Sequence, residues 1–301
     1  MYKYFSFSEN SISNLLNHEL YMSHYEAFND PFECSCEVLS GFPKIMEQSS
    51  RLKDIIKAWG FDDTSDQDAL DNYDDYANSL ELSEPDVATI IDRARISCFS
   101  KDADSLLMWS HYADGLRGYC IEFDPRYIQS NNEEHLIILN VLYEDTPPKI
   151  DTAVMAVIHD QIVYHQEAVH STEIMMQHLG EDKKKELRGY KDALEKSFIS
   201  HDEIYQKMLA TKPVCWKYEN EIRIICQAKN TEIKECFLKY PINAIKSFTI
   251  GEKMPKKKMR TLYNIITSHF PHATIYIASK IHGAFELSIN EYNLASFEEG
   301  L

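Results

Sequence analysis

The sequence predicts an α+β fold built on a bent antiparallel or mixed central sheet with two helical insertions. Runs with strand character recur near residues 2–7, 19–23, 95–99, 117–123 and 222–225. Within them apolar and polar residues alternate, which places successive side chains on opposite faces of a sheet that is buried on one side. The stretches between these runs have helical spacing instead, so we expect helices packed outside the sheet.

The first helical insertion is predicted over about residues 44–94 and becomes increasingly acidic along its length. A calcium-binding loop is not indicated, because the bend glycine and the bidentate glutamate at loop position twelve are both missing. We therefore expect a solvated acidic face. Its aspartates, with no basic residue among them, are Asp62, Asp63, Asp66, Asp68, Asp71, Asp74 and Asp75.

A second helical insertion is predicted over about residues 152–211, with a break near Gly180 and an end at Pro213, which cannot continue a helix. The C-terminal part then alternates strand, helix and strand over residues 245–278, which predicts a β-α-β element beside the main sheet. With 301 residues, 44% of them hydrophobic, the chain can bury a full core. We expect one domain over residues 1–301.

The charge balance argues against nucleic-acid binding over most of the protein surface. The chain carries 31 basic and 48 acidic residues, a net charge of −17, which repels long polyanions over most of the surface. Lys256, Lys257 and Lys258 form a local exception and are the predicted place for any nucleic-acid contact. Seven scattered cysteines indicate reduced thiols rather than a disulfide framework, and their spacing predicts no structural metal site.

Membrane insertion is not expected. Residues 1–5 lack the apolar stretch of a signal peptide, and no run of about 18 apolar residues occurs anywhere in the chain. The sequence therefore predicts a soluble protein of the cytoplasm.

Three clusters combine polar residues, which are costly to bury, with large aromatic residues, which bury easily. Ligand pockets are lined by this mixture. The clusters lie at residues 21–33, residues 98–123 and residues 216–223. Each cluster is therefore a candidate part of a ligand pocket, although the three are far apart in the chain.

The motifs in these clusters resemble the bacterial family known as domain of unknown function 2971. That family has a Tyr-Lys-Tyr-like first strand, a Phe-Asn-Asp-Pro-Phe turn, Cys-Phe-Ser, Met-Trp-x-His-Tyr-Ala, Gly-x-Cys-Ile-Glu-Phe and a late Trp-x-Tyr-Glu-x-Glu-x-Arg strand. The corresponding residues here are 2–4, 28–32, 98–100, 108–113, 118–123 and 216–223. The joint match spans nearly the whole chain.

A more distant resemblance is to ADP-ribosyltransferase-like folds, in which three strands assemble a pocket for NAD. The resemblance implies that Lys3 or Tyr4 takes the first-strand role, usually held by histidine or arginine. Tyr21 or Ser23 takes the second role, and Glu221 takes that of the late glutamate.

These residue types suit cleavage of the nicotinamide bond of NAD. The reaction develops oxocarbenium character at the ribose, which a carboxylate that accepts from a ribose hydroxyl stabilises. A tyrosine face can stack on nicotinamide, and a lysine or arginine can bind the pyrophosphate. The predicted catalytic residues are Glu221, Tyr21 and His111, and the predicted NAD-binding residues are Lys3, Tyr4, Ser23, Asn29, Trp109, Tyr218 and Arg223.

For several of these residues, a purely structural role without ligand contact also stays open. Glu219, Glu221 and Arg223 alternate along a predicted strand and are also consistent with an exposed ion-pair ladder of little energetic value. His111 is consistent with a hydrogen-bonded core histidine, and Asn29 with a residue that fixes its own turn. Trp109 is consistent with a core residue.

The leading hypothesis is an NAD-consuming ADP-ribosyltransferase-like enzyme that acts in conflict between bacteria and phage, in defence or as a toxin. Protein, DNA, RNA or water remain open as the acceptor. An alternative is a noncatalytic module that binds a nucleotide or a protein. A weaker one is a metal-dependent nuclease that uses Glu122, Glu219 and Glu221, although no paired Asp or His spacing supports it.

Overall fold

The computed structural model describes residues 1–47, 49–61, 66–130, 136–180, 182–230, 232 and 235–292. Asp62 and Asp63 of the predicted acidic face lie outside these residues. The strands are β1 (Tyr2–Phe5), β2 (Glu19–Ser23), β3 (Glu37–Leu39), β4 (Ala94–Ser100), β5 (Tyr119–Phe123), β6 (Ile137–Asn140), β7 (Leu142–Glu144), β8 (Lys149–Asp151), β9 (Thr211–Pro213), β10 (Glu221–Gln227), β11 (Glu235–Lys239), β12 (Ile245–Gly251), β13 (Thr274–Lys280) and β14 (Leu287–Glu291).

The helices follow the predicted pattern, and along the sequence most of them lie between two strands of the main sheet. They are α1 (Glu9–Leu16), α2 (Ser50–Trp59), α3 (Gln67–Leu80), α4 (Val87–Arg93), α5 (Leu106–Tyr112), α6 (Pro125–Ser130), α7 (Thr152–Leu179), α8 (Lys184–Leu209) and α9 (Lys256–His269). Within the described ranges, none of these helices combines the length and the apolar character that a bilayer crossing demands.

The chain divides into two compact units. The first consists of residues 1–33, 92–145 and 212–301, and the second of residues 34–91 and 146–211. The helices predicted as two insertions fall mainly in the second unit. The expectation that all 301 residues form one domain stays a prediction.

The first unit contains a ten-stranded sheet, and this sheet is mixed, in agreement with the sequence-based prediction of an antiparallel or mixed sheet. Its main path runs β11-β2-β4-β1-β5-β12-β13-β14, and β10 pairs with both β4 and β6. Most neighbours are antiparallel, whereas β12 and β13 are parallel and are connected through α9. The predicted C-terminal β-α-β element is therefore confirmed.

Both faces of this sheet bury apolar side chains. One face packs against α1 and α9 through residues such as Leu15, Leu262 and Ile266. The other face packs against α5 through Met108 and Trp109. Apolar burial is the main stabilising contribution to such a layered fold. It extends to both faces of this sheet, whereas the alternating sequence pattern predicts burial on one face only.

The second unit is mainly helical. Gly180 caps α7 in the left-handed conformation, with φ of 68°, which is the helix break predicted at this position. Asp66 caps the start of α3 by accepting from the backbone N–H groups of Asp68 and Ala69, and Trp59 stacks on Tyr76 with ring centroids 3.9 Å apart. At least one residue of the acidic stretch thus has a structural role.

The large sheet splits along one edge of β4. β2 pairs there only where Ser23 lies opposite Ile96, and β1 pairs only where Tyr2 lies opposite Ser100. The other edge of β4 is paired with β10 over its whole length. β1 and β2 therefore leave a gap between them on the same edge of β4.

The late Trp-Tyr-Glu segment differs from the prediction. Residues 216–219 were expected in a strand, but Val214–Glu219 forms a 3-10 helix and β10 begins only at Glu221. Asn220 separates the two with φ of 42°, a left-handed conformation that asparagine tolerates better than most residues. Alternation over so short a segment does not distinguish a strand from a tight helical turn.

Trp109 is fully buried on the α5 face, as expected for a core residue. Its ring meets Tyr4 edge-on with centroids 5.4 Å apart. The indole N–H donates to the carbonyl of Ala103 over 2.8 Å, so its one polar group is satisfied. Trp109 therefore packs against the side chain of Tyr4 in β1.

Trp109→Ala should lower the free energy of unfolding by about 3–5 kcal/mol, because it empties a large buried site. Urea unfolding monitored by far-UV circular dichroism measures the loss. Leu106→Ala in the same helix, where the side chain is 39% exposed, is the control and should lose much less stability than Trp109→Ala. Equal stability of the Trp109 variant and the parent would contradict the assigned packing.

Candidate functional site

A cleft of about 280 Å³ lies where β1 and β2 diverge in the first unit, with β4 at its base. Side chains from α5, from the turn after β2 and from the start of β10 complete its walls. Of the ten residues predicted from the sequence, six line it: Lys3, Tyr4, Tyr21, Ser23, Asn29 and Glu221.

Strand register explains why residues so distant in sequence meet here. Ser23 lies opposite Ile96 and Glu221 lies opposite Ser100. These two β4 positions are an even number of residues apart, so their partners project from the same face of the sheet. Tyr21, two residues before Ser23, shares that face.

Tyr4 reaches the same face through β1. Tyr2 lies opposite Ser100, and Tyr4 follows at the strand period of two residues. Its hydroxyl donates to the carbonyl of Asp102 over 2.6 Å, and burial raises the pKa of the phenol well above its ordinary value. Tyr4 is therefore a neutral, fixed wall of the cleft.

Lys3 has the opposite parity and enters the cleft through the gap between the strands. Its ammonium donates to the Ser97 hydroxyl and to the Cys98 carbonyl, each over 2.9 Å, and lies 4.9 Å from the centre of the Phe99 ring. Burial lowers the pKa of Lys3 from its ordinary value. Lys3 thus provides β4 with a donor where a neighbouring strand is missing.

Five charged side chains are buried together at the end of the cleft. The ammonium of Lys212 lies 2.7 Å from Glu221 Oε2, 2.8 Å from Glu219 Oε2 and 3.8 Å from Glu33 Oε2. Arg223 Nε donates to Glu221 Oε1 over 2.9 Å, and its Nη1 lies 2.6 Å from Glu33 Oε1. All five are less than a tenth exposed. We refer to them as the charge cluster.

Tyr112 connects the charge cluster to the turn after β2. Its hydroxyl donates to Glu219 Oε1 over 2.5 Å and accepts from Asn29 Nδ2 over 3.3 Å. Burial and the hydrogen bond to Glu219 raise the pKa of Tyr112. Tyr112 is therefore a neutral hydrogen-bond donor in this site.

The charge cluster keeps Glu221 ionised. Burial by itself raises the pKa of a carboxyl, but Arg223 and Lys212 outweigh it and lower the pKa of Glu221 to about 2. Burial would lower the pKa of Lys212, yet the charge of Glu221 raises it. The pKa of Glu33 is raised because burial there exceeds the effect of Arg223.

Cys98 faces the same cluster but is not a nucleophile at neutral pH. Burial, with a smaller contribution from the negative charge of Glu221, raises the pKa of its thiol well above the ordinary value. A thiol of this kind stays protonated and donates weakly. It contributes a hydrogen bond to the Glu221 carboxylate.

Four of the predicted site residues do not line the cleft. His111 is exposed and lies one residue, about 100° of helix rotation, before Tyr112. It contacts the rings of Tyr112 and Tyr218 only at centroid distances of 6.3 and 6.0 Å. Neither the predicted pocket position nor the alternative core position of His111 is therefore correct.

The other three pack around the cleft instead of lining it. Trp109 faces the core on the opposite side of Tyr4. Tyr218 is half-buried and packs against the α5 face. Arg223 is fully buried beneath Glu221, so it can act on a ligand only through that carboxylate. Local sequence patterns could not predict how deeply these side chains are buried. The burial of a side chain depends on which other parts of the chain pack over it.

The exposed-ladder interpretation of Glu219, Glu221 and Arg223 is wrong, since all three side chains are buried. Sequence reasoning assigned no role to Lys212, Glu33 or Tyr112. Lys212 follows a long helical stretch and precedes Pro213, and no sequence motif there indicates a functional residue. Only the excess of carboxylates at residues 219 and 221, which need a counter-charge if buried, could have suggested a missing cation.

The metal-dependent alternative is not favoured by the placement of its residues. Glu122 accepts from the Ser247 hydroxyl over 2.8 Å and does not line the cleft, while Glu219 and Glu221 already share Lys212. Among the residues that the structure describes, no group of three or more His, Cys, Asp or Glu side chains is arranged to hold a metal ion.

The basic residues Lys256, Lys257 and Lys258 lie exposed in the first turn of α9. The ammonium of Lys258 lies 5.3 Å from the centre of the Phe7 ring and 3.5 Å from the Phe7 carbonyl. A nucleic-acid contact at these three residues stays a prediction.

Lys212→Met should lower the free energy of unfolding by about 3–5 kcal/mol, because it leaves buried carboxylates without their counter-charge. Glu221→Gln should do the same to the buried cations. The double variant should lose less than the sum, since each change removes the charge that the other leaves unpaired. Urea unfolding of all four proteins measures the coupling.

A matched comparison for Lys212 is Lys191→Met. Lys191 lies 2.7 Å from Glu173, as close as Lys212 lies to Glu221, but both partners are exposed. Its loss should cost less than about 1 kcal/mol. Additive effects of the Lys212 and Glu221 changes would show that the two groups do not interact.

Acid should weaken the fold through Glu221. Its folded pKa lies near 2, below the ordinary 4.5, so its contribution is full above pH 4.5 and is lost as the pH falls toward 2. The urea midpoint of the parent should therefore drop between pH 5 and pH 3 more steeply than that of Glu221→Gln. Parallel curves would contradict a lowered pKa.

The comparisons with known proteins agree with the motif resemblance in one segment. A family model with the description Protein of unknown function (DUF2971) matches residues 108–224, whereas no curated protein and no solved structure matches the chain. The matched segment contains Tyr112, Lys212 and all of Val214–Glu219, and it ends inside β10 beyond Glu221. Over residues 108–224 this chain is therefore similar to the family described as Protein of unknown function (DUF2971).

Proposed function

We propose that the cleft binds NAD and cleaves its bond between nicotinamide and ribose, as an ADP-ribosyltransferase-like enzyme would. The observation that carries this proposal is the meeting of Tyr4, Tyr21 and Glu221 in one cleft, from three strands far apart in sequence. These are the positions that the resemblance to ADP-ribosyltransferase-like folds assigns to the NAD pocket.

Glu221 has the charge that this reaction requires. When the bond between ribose C1′ and the nicotinamide nitrogen breaks, both electrons leave with nicotinamide and positive charge develops at the ribose. An ionised carboxylate beside that ribose stabilises the oxocarbenium-like state. Lys212 and Arg223 keep Glu221 ionised and fix its two oxygens. The oxygen of water or of an acceptor then bonds to C1′ and loses its proton.

The aromatic walls suit a planar leaving group. Tyr21 and Phe28 line the cleft on the side of β2, and Tyr112 lines it on the side of α5. Such faces can hold a nicotinamide ring by stacking. The ammonium of Lys3 lines the cleft beside β4, and a group of this kind can donate to a phosphate oxygen.

One observation favours a second candidate, a noncatalytic nucleotide-binding module. Both carboxylate oxygens of Glu221 already have a cation within 3 Å, Arg223 at Oε1 and Lys212 at Oε2. A carboxylate so engaged can hold a ribose hydroxyl without contributing enough charge to accelerate bond cleavage. This candidate predicts binding of NAD without release of nicotinamide.

Incubation of the purified protein with NAD separates these candidates. Free nicotinamide, measured by liquid chromatography, supports the enzyme, and NAD binding without release supports the module. Divalent-metal-dependent cleavage of DNA or RNA would favour the nuclease instead. If the protein neither binds nor cleaves NAD, the NAD proposal is refuted.

Glu221→Gln should reduce turnover by roughly 10²–10³, the usual effect of removing one electrostatic stabiliser from an active site. The variant also loses stability, as argued above, so turnover is measured well below its unfolding midpoint. Combining it with Lys212→Met should cost less stability than the sum of the two single changes, while turnover stays low.

Glu219→Gln is the matched comparison for Glu221→Gln, because it removes an equal charge from Lys212. It should retain more turnover than Glu221→Gln at a similar stability. The reverse order would place the catalytic carboxylate two residues earlier, and full activity of both variants would refute the transferase proposal.

A further inference from the structure

The cleft face of the sheet continues past Tyr21 to its edge. In the antiparallel pair of β2 and β11, Phe237 lies directly opposite Tyr21, and directly opposed residues project to the same face. The alternate residues Leu20, Met22 and Leu238 are buried in the core on the other face. Phe237 therefore shares the face that carries the cleft.

Exposure rises steadily along this face. Ser23 is 6% exposed inside the cleft, Tyr21 is 39% exposed at its rim and Phe237 is 49% exposed beyond it. The rings of Tyr21 and Phe237 lie 5.7 Å apart at an interplanar angle of 58°. Together they form an aromatic step that leads out of the cleft.

The cleft volume of about 280 Å³ lies at the lower limit of the range of about 300–1,000 Å³ in which proteins enclose drug-sized ligands. A ligand with two nucleoside halves is large for such a cleft, so we expect one half to lie outside it. Exposed aromatic rings at the cleft rim suit a flat base, since stacking requires a face and no specific hydrogen bond.

We propose that Phe237 extends the binding site and stacks the adenine of a dinucleotide whose nicotinamide half occupies the cleft. This inference rests on the proposed NAD function and specifies how the ligand is divided between the cleft and the aromatic step. Phe237 is then a binding residue for the adenine end only. It does not touch the bond that breaks.

A purely structural role for Phe237 makes a different prediction. Cross-strand aromatic pairs stabilise antiparallel strands, so loss of the ring would lower stability and would affect all ligands alike. Nicotinamide mononucleotide, which lacks the adenosine half, separates the two roles. Only the stacking role requires the dinucleotide and the mononucleotide to respond differently.

The experiment is calorimetric titration of the full chain with NAD and, separately, with nicotinamide mononucleotide. Phe237→Ala should weaken NAD binding by about tenfold, within the usual range for loss of one stacked base, and should change mononucleotide affinity by less than about twofold. Phe237→Tyr keeps the ring and should restore NAD affinity. Phe285→Ala removes a fully exposed ring next to β14, on the opposite edge strand, and should change neither affinity.

Two results would overturn the inference while leaving the proposed function intact. The first is unchanged NAD affinity in Phe237→Ala, and the second is an equal loss for both ligands. If the parent protein binds no NAD, the proposed function fails and the inference fails with it. Selective loss of NAD affinity, with rescue by Phe237→Tyr, supports the inference.

Discussion

The ion pair between Lys212 and Glu221 is the interaction on which the site depends. Its two charges are buried at 2.7 Å, and each would be costly to keep in the interior without the other. The same ammonium also holds Glu219. Lys212 therefore supplies a counter-charge shared by the two carboxylates that face the cleft.

The second constraint is the split in the sheet at β4. A continuous sheet would satisfy the β4 backbone with strand neighbours and would leave no room for a ligand. Here β1 and β2 diverge along one edge, and Lys3 donates to the Cys98 carbonyl in the gap. The cleft is thus built into the strand pairing, and its walls are strands completed by α5 and by the turn after β2.

These two features have different roles in the proposed enzyme. The strand register aligns the aromatic walls on one face, while the charge cluster fixes the carboxylate at the end of the cleft. Tyr112 joins the two, because it donates to Glu219 and accepts from Asn29. A ligand that displaces Asn29 or Tyr112 would therefore act on Glu219, and through Lys212 on Glu221.

Local sequence patterns predicted the mixed sheet, the β-α-β element and the helix break at Gly180, because periodicity and backbone conformations that few residues tolerate are local properties. Six residues of the cleft were predicted from the resemblance of the sequence motifs to known families. Only the tertiary structure decided that Arg223 and Trp109 are buried, that His111 faces outward, and that Lys212 neutralises Glu221. Burial depth and charge partners depend on contacts between residues far apart in the chain, and a local pattern carries no record of them.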